Sequence, residues 1–305
     1  MRHLINFKDW EPEEVIHLID TGIQIKKEPS KYRDALLAKS LAMIFQKTST
    51  RTRVSFEVAM TQLGGHAIYL DWLTTQFKLA DIGDEIRYLS RNVDCIIARL
   101  KRNVDLVQMA SASTVPVING CDEKYHPCQA IADMMTIKEK KDLLKELRLV
   151  YIGVHNNVCN SLIEACTMLS MHITAVTPIK HPSAQDVELV ENAKKTGLYE
   201  ETLNVNQAVK DADIVYTDTW IDMELFLDPR FEKEKKQRIS LMMPYQINKR
   251  LMKESNALIM HDMPIHRGYE IDGEMIESPR SLIFTQAENR LHSEKAILLK
   301  LLDKI

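Results

Sequence analysis

No stretch of about 18 consecutive apolar residues occurs in the 305-residue chain, so a membrane-spanning helix is not expected. The opening segment MRHLINFKDWEPEEV has no apolar signal core and carries acidic residues early, which makes the cytoplasm the expected location. Lysine and arginine number 40 against 43 aspartates and glutamates, a net charge of −3, so no global basic field recruits nucleic acid or a membrane surface. Any anion must therefore be held by a local cluster. The five cysteines, Cys95, Cys121, Cys128, Cys159 and Cys166, are widely spaced and form no CxxC pair. That pattern fits reduced thiols better than a disulfide framework or a metal site. Glycine is scarce too, with nine in the whole chain. The segment YIGVHNNVCNS (151–161) carries one glycine where a dinucleotide fingerprint needs G-x-G-x-x-G, which counts against a nicotinamide-dependent oxidoreductase. No internal repeat or low-complexity tract is present.

What remains is an ordinary globular composition, 45% hydrophobic and 27% charged, on a chain long enough for two cores. Short apolar, β-rich runs recur at 41–46, 66–71, 94–100 and 115–120, and again at 148–154, 172–178, 213–220 and 257–263. Between them lie amphipathic segments of helical spacing, such as 52–63, 128–140 and 156–170. This alternation predicts an α/β fold of two doubly wound parallel-sheet domains. The charged run KEKKDLLKE (138–146) reads as the end of a connecting helix, so the domains are expected at 1–140 and 141–285. Gly64-Gly65 is expected to close the helix that opens near 52. Segment 286–305, with Leu291, Ala296, Leu298, Leu299 and Leu302, reads as a packing helix.

In such folds ligands gather at strand carboxyl ends and helix N-termini. Just after the run 41–46, positions 47–53 (KTSTRTR) hold four hydroxyl side chains and two arginines. The first helical turn offers unpaired N–H groups and a positive dipole end. Ser49, Thr50 and Thr52 add hydroxyls, and Arg51 adds a planar fork suited to phosphate oxygens. The plain alternative is a Ser/Thr cap with solvated arginines, but a cap needs only one hydroxyl. A second corner, NGCDEKYHPCQAIADMM (119–135), places His126 before Pro127 at a helix start, with Gln129 one turn on. His126 is structural or catalytic on this pattern alone. Arg99, ending the run 94–100, either marks the solvent boundary or faces the same corner.

STRTR (49–53), HPCQ (126–129) and DTW (218–220), in this order and spacing, resemble the aspartate/ornithine carbamoyltransferase family, the ornithine type above all. The likeness runs nearly end to end, because LTTQ (73–76), NN (156–157) and SPRSLIFTQAENR (278–290) also fit. It implies a carbamoyl phosphate-binding domain, then an acceptor-binding domain, with the last helix (286–305) returning to the first. It also implies a homotrimer or a multiple of trimers, with active sites between subunits. Ser49, Thr50, Arg51 and Thr52 would hold phosphate, with Gln76 reaching it from a neighbouring subunit. Arg99 would bridge phosphate and carbamoyl group, while His126, Gln129 and Arg290 would approach the carbamoyl carbonyl and amide. Asn157 and Asp218, together with the loops carrying Asp222, Met223, Asp262 and Met263, would meet the acceptor.

The implied reaction is attack of an amine on the carbamoyl carbon with expulsion of phosphate, ornithine giving citrulline. It calls for no cofactor, no metal and no covalent intermediate, so Cys128 reads as a small buried side chain. Two departures from the family pattern bear on the acceptor. HDMP (261–264) puts Asp262 where ornithine-type chains carry the cysteine of HCLP. DME (222–224) stands where Ser-Met-Gly is expected, so Asp222 replaces a serine that helps hold the ornithine α-amino group. With Asp218 these would make three carboxylates, repelling an α-carboxylate and attracting a second cation, as in putrescine. Three readings stay open: an ornithine enzyme, an enzyme for another amine, and a non-catalytic phosphate-ligand-binding relative. The length and charge of 221–245 suit a closing loop.

Overall fold

Two all-parallel sheets organise the chain in the computed structural model, which describes residues 1–222 and 226–305. The first half runs α1 (Pro12–Lys27), β1 (Ser40–Phe45), α2 (Thr50–Gln62), β2 (His66–Asp71), α3 (Ile82–Leu89), β3 (Cys95–Arg99), α4 (Asn103–Ala112), β4 (Val117–Cys121) and α5 (Pro127–Lys141). The second runs β5 (Arg148–His155), α6 (Asn157–Met168), β6 (His172–Lys180), α7 (Val187–Lys195), β7 (Tyr199–Glu201), α8 (Val205–Ala208), β8 (Ile214–Thr217), α9 (Glu232–Met242), β9 (Leu258–His261) and α10 (Gly273–Ile276). A long helix, α11 (Ile283–Leu301), ends the chain. One unit comprises Met1–Asp142 with Glu288–Ile305, and the other Leu143–Ala287.

The expected fold class holds, and the strand ends place the chemistry. The first sheet has order β2-β1-β3-β4 and the second β7-β6-β5-β8-β9. In each, successive connections leave the starting strand in opposite directions, opening a crevice at the carboxyl ends of β1 and β3, and of β5 and β8. Strand interiors are apolar on both faces because helices cover both sides. Ala42, Ile44, Ile96, Ala98, Leu106 and Met109 form part of one core, and Val150, Ile152, Val176, Val215 and Ile259 part of the other.

Local signals explain where elements stop. Gly64 sits at φ +85° and the Gly65 N–H reaches Met60 O at 2.8 Å, closing α2. A Cβ on Gly65 would lie 2.5 Å from Met60 Cε and 3.0 Å from Lys39 O, so the close approach requires glycine. Helix α5 ends at Lys141 inside the charged run, with Lys138, Lys140 and Lys141 against its negative dipole end. The pattern of apolar runs passes over two elements. Strand β7 is a three-residue edge whose Glu200 and Glu201 are exposed, too short to show a period. Helix α1 carries its signal in a capping box of Glu11 and Glu14 around Pro12. Segment 221–245 is more structured than a plain loop, since α9 occupies part of it and Trp220, Ile221 and Met242 form a small buried cluster there.

Candidate active site

In the first unit, the turn after β1 delivers Ser49 as the N-cap of α2, its Oγ accepting from Thr52 N at 3.2 Å. One hydroxyl is thus a cap, as the plain reading has it, while exposed Thr50 opens the helix. Thr52 is buried. Arg53 departs from the cluster, with its guanidinium 3.8 Å from the Tyr69 ring centroid and Nε 3.4 Å from Glu57. Arg99 ends β3, donates from Nη1 to Gly120 O at 3.3 Å, and has a buried Nε with no acceptor among the described residues. A buried N–H of this kind costs free energy unless a ligand oxygen meets it.

His126 is the N-cap residue of α5, placed by Pro127 at the first helical position. Burial holds its imidazole well below the ordinary histidine range, reinforced by the positive charges of Arg290, Arg99 and Arg51. The ring is therefore neutral at physiological pH and can offer an N–H to a carbonyl oxygen. Arg290, on the Glu288–Ile305 stretch of the same unit, donates from Nη1 to Gln129 Oε1 at 2.7 Å and from Nη2 to Thr52 Oγ1 at 3.4 Å. The Gln129 amide nitrogen in turn donates to Asp133 at 2.8 Å, which fixes the amide with its oxygen toward Arg290. Arg51, Thr52, Arg99, His126, Gln129 and Arg290 thus converge. Gln76 does not join them; it is exposed on the turn Gln76–Lys78. Cys128 is buried against Asn119 O at 3.3 Å, and burial drives its thiol far above the usual range, so it is no nucleophile.

In the second unit, Asp218 follows directly on β8; its Oδ2 accepts from Asn156 Nδ2 at 2.5 Å and its Oδ1 from Thr219 N at 2.6 Å. Asn157, expected with Asp218 at the acceptor end, keeps its side-chain oxygen on Val158 N at 3.1 Å. Asn156 is the side chain that reaches Asp218. It caps α6 through Val158 N and Cys159 N, both at 3.1 Å, and accepts from the Tyr151 hydroxyl at 3.0 Å. Asp262 follows β9 and stands 3.6 Å from His261 Nδ1. Met263 sits at φ +62°, its N–H donating to His261 Nδ1 at 2.9 Å. Nε2 of that ring pairs with Glu270 Oε1 at 3.1 Å, and Glu270 also accepts from His266 N at 2.6 Å. This buried His261–Glu270 pair pins the loop carrying Asp262 and Met263.

Donor atoms of Asp218, His261 and Asp262 lie within 4.8 Å of one another, a spacing a cation tolerates. The Nδ1 lone pair of His261 is already taken by the Met263 N–H, so the imidazole is a poor ligand. Asp222 does not complete a carboxylate trio. It is exposed and lies 3.4 Å from His181 and 4.0 Å from Arg238, because α9 and the turn after β6 place those side chains beside it. Met223 and Glu224 lie outside the described residues.

Residues 2–139 match the model of the aspartate/ornithine carbamoyltransferase carbamoyl-P binding domain, and residues 145–301 that of the Asp/Orn binding domain. The chain belongs to the aspartate/ornithine carbamoyltransferase family. Within this family it is 43% identical to the ornithine carbamoyltransferase of Archaeoglobus fulgidus, over 100% of this chain and 98% of that one. It is 39% identical to the Bacillus anthracis ornithine carbamoyltransferase, covering 100% and 95%. The solved ornithine carbamoyltransferase of Pyrococcus furiosus superposes with a TM-score of 0.91 at 41% identity, covering 100% and 98%. Of the residues that brace these side chains, Asn156 is visible in the sequence as the first asparagine of NN. His261 is visible as the first letter of HDMP and Glu294 by its i, i+4 spacing from Arg290, whereas Glu270 has no local signal.

Proposed function

We propose that this chain transfers the carbamoyl group of carbamoyl phosphate to the side-chain amine of ornithine, yielding citrulline and phosphate. The observation that carries the reading is the convergence of Arg51, Arg99 and Arg290 on a neutral His126, beside a helix N-terminus. Ser49, Thr50, Arg51 and Thr52 take the phosphate, with Arg99 between phosphate and carbonyl. His126, Gln129 and Arg290 meet the carbamoyl group. Negative charge grows first on the carbonyl oxygen and then on the leaving phosphate, and fixed donors aimed there favour the transition state. The amine must attack as a neutral base. An alkylamine of pKa about 10.4 loses roughly 4.6 kcal/mol in deprotonating near pH 7, and a site rich in arginine lowers that cost. The departing phosphate accepts the surplus proton.

Asn156 and Asp218 hold the amino-acid end of the acceptor, with Asn157 and Met263 nearby. The enzyme works in the cytoplasm as a homotrimer in which Gln76 serves a neighbouring subunit's phosphate. The proximity of Asp262 to Asp218 favours a second reading, a diamine acceptor such as putrescine, because paired carboxylates repel an α-carboxylate and draw a second cation. Phosphate release from carbamoyl phosphate, measured in parallel with ornithine, putrescine, lysine and aspartate, decides between them. Ornithine should give the highest kcat/KM; putrescine ahead of ornithine would transfer the assignment to the diamine. Turnover with none of the four would overturn both readings.

A further inference from the structure

The Arg290 guanidinium has five N–H donors, and its bonds within the first unit account for four of them. Nε and Nη2 both donate to Glu294 Oε1, at 3.1 and 2.7 Å. Nη2 also reaches Thr52 Oγ1, and Nη1 reaches Gln129 Oε1. One hydrogen, on Nη1, is left for a ligand oxygen. Glu294 lies one helical turn beyond Arg290 on α11 and is fully buried, with Oε2 lacking any partner among the described residues. A carboxylate placed so deep is costly unless it does something the fold cannot do with a neutral side chain.

We infer that Glu294 is a positioning residue for carbamoyl transfer. It holds Arg290 by two donors so that the remaining Nη1 hydrogen is aimed at the carbamoyl carbonyl oxygen as charge develops there. This rests on the function proposed above. Glu294 touches no substrate; it acts through Arg290. The groups that bear on it are Arg290 from its own helix, Cys128 from α5 and Ser55 from α2, and Asp133 of α5 acts on Arg290 from the other side. His126 feels the same arginine. Burial pushes the Glu294 carboxyl up to about 7, against the opposing pull of Arg290. Its ionisation, with the proton leaving as pH rises through about 7, therefore switches the Arg290 anchor on within the working range. Below that point a neutral carboxyl holds the guanidinium less firmly.

The test compares wild type with Glu294→Gln, which keeps the shape, and Glu294→Asp, which keeps the charge. Steady-state kcat and the KM for carbamoyl phosphate are measured from about pH 5.5 to 9, and thermal melting checks that each variant folds. Binding of phosphonoacetamide, an unreactive analogue of the donor, is measured alongside by calorimetry. The wild type should show a kcat limb that rises through about pH 7. Glu294→Gln should lose that limb and drop kcat about tenfold at alkaline pH, with KM changed less than about threefold. Glu294→Asp should retain a limb. A Gln variant that keeps the wild-type limb and kcat would overturn the inference. Should the wild type itself fail to turn over, the proposed function falls. The Glu294 inference then falls separately if the modest change of analogue affinity through about pH 7 is the same in the wild type and the Gln variant.

Discussion

At the scale of single residues, the proposed phosphate corner is written in adjacent letters. Ser49, Thr50, Arg51 and Thr52 are contiguous, so their common destination follows from one turn and one helix start. Glu294 has no such neighbours in sequence. Its i, i+4 spacing from Arg290 on a helix predicts that the two meet, and only tertiary packing reveals that the pair is buried against Thr52 and Gln129. Asp222 shows the converse. The family resemblance sets it in the acceptor loop, and the neighbours it has here, His181 and Arg238, are distant in sequence. The burial of Glu294 has a consequence for stability with a definite sign. Folding raises its pKa from 4.5 to about 7, so between those values the folded chain keeps a proton that the unfolded chain has released. Stability from this group is full below about pH 4.5 and is lost as pH climbs through about 7. At about 1.36 kcal/mol per unit the loss is about 3 kcal/mol. Denaturant titrations of wild type and Glu294→Gln should therefore diverge with pH, the wild type losing ground to the variant between about pH 5 and 8. Parallel stability profiles would show that the carboxyl does not titrate in that window.

At the scale of elements, the strand–helix alternation was legible because buried parallel strands read as short apolar runs and their covering helices as amphipathic ones. What resisted was the coupling between elements. Asn156 shows it well: the same side chain caps α6, receives the Tyr151 hydroxyl of β5 and donates to Asp218 beyond β8. A sequence reader sees two asparagines before a helix and has no way to choose between them. Asn156→Ala should cost about 1 kcal/mol through the lost cap. It should also release Asp218 and raise the KM of the amine acceptor while leaving that of carbamoyl phosphate near its original value. Asn157→Ala is the control, and the melting temperature and both KM values are the measurements. An equal effect of the two alanines on acceptor KM would assign no special place to Asn156.

At the scale of the whole molecule, the order of the chain and the order of its packing differ. Residues 288–305 come last yet belong with residues 1–142. Their side chains are not decoration on that unit. Ala296, Ile297, Leu298 and Leu299 are fully buried, and the Asn289 amide donates to Thr136 Oγ1 at 2.9 Å and to Glu139 at 2.7 Å. Each large aliphatic side chain contributes about 1.5–3 kcal/mol on burial, so Ile297, Leu298 and Leu299 alone supply about 5–9 kcal/mol. That is comparable with the about 5–15 kcal/mol by which a typical domain is stable. The same stretch brings Arg290 to Thr52 and Gln129, so fold and donor site share one terminal helix. A chain cut after Ala287 should therefore lose the cooperative unfolding of the first unit and its affinity for phosphonoacetamide together. The second unit, whose core residues all precede the cut, should keep its own thermal transition. Calorimetric scanning separates the cases: an intact first transition in the truncated chain would mean that β1 to β4 and α1 to α5 suffice without it. Retention of that transition with loss of binding would confine the helix to the site. Simultaneous loss of both makes the last 18 residues the tie between folding and chemistry.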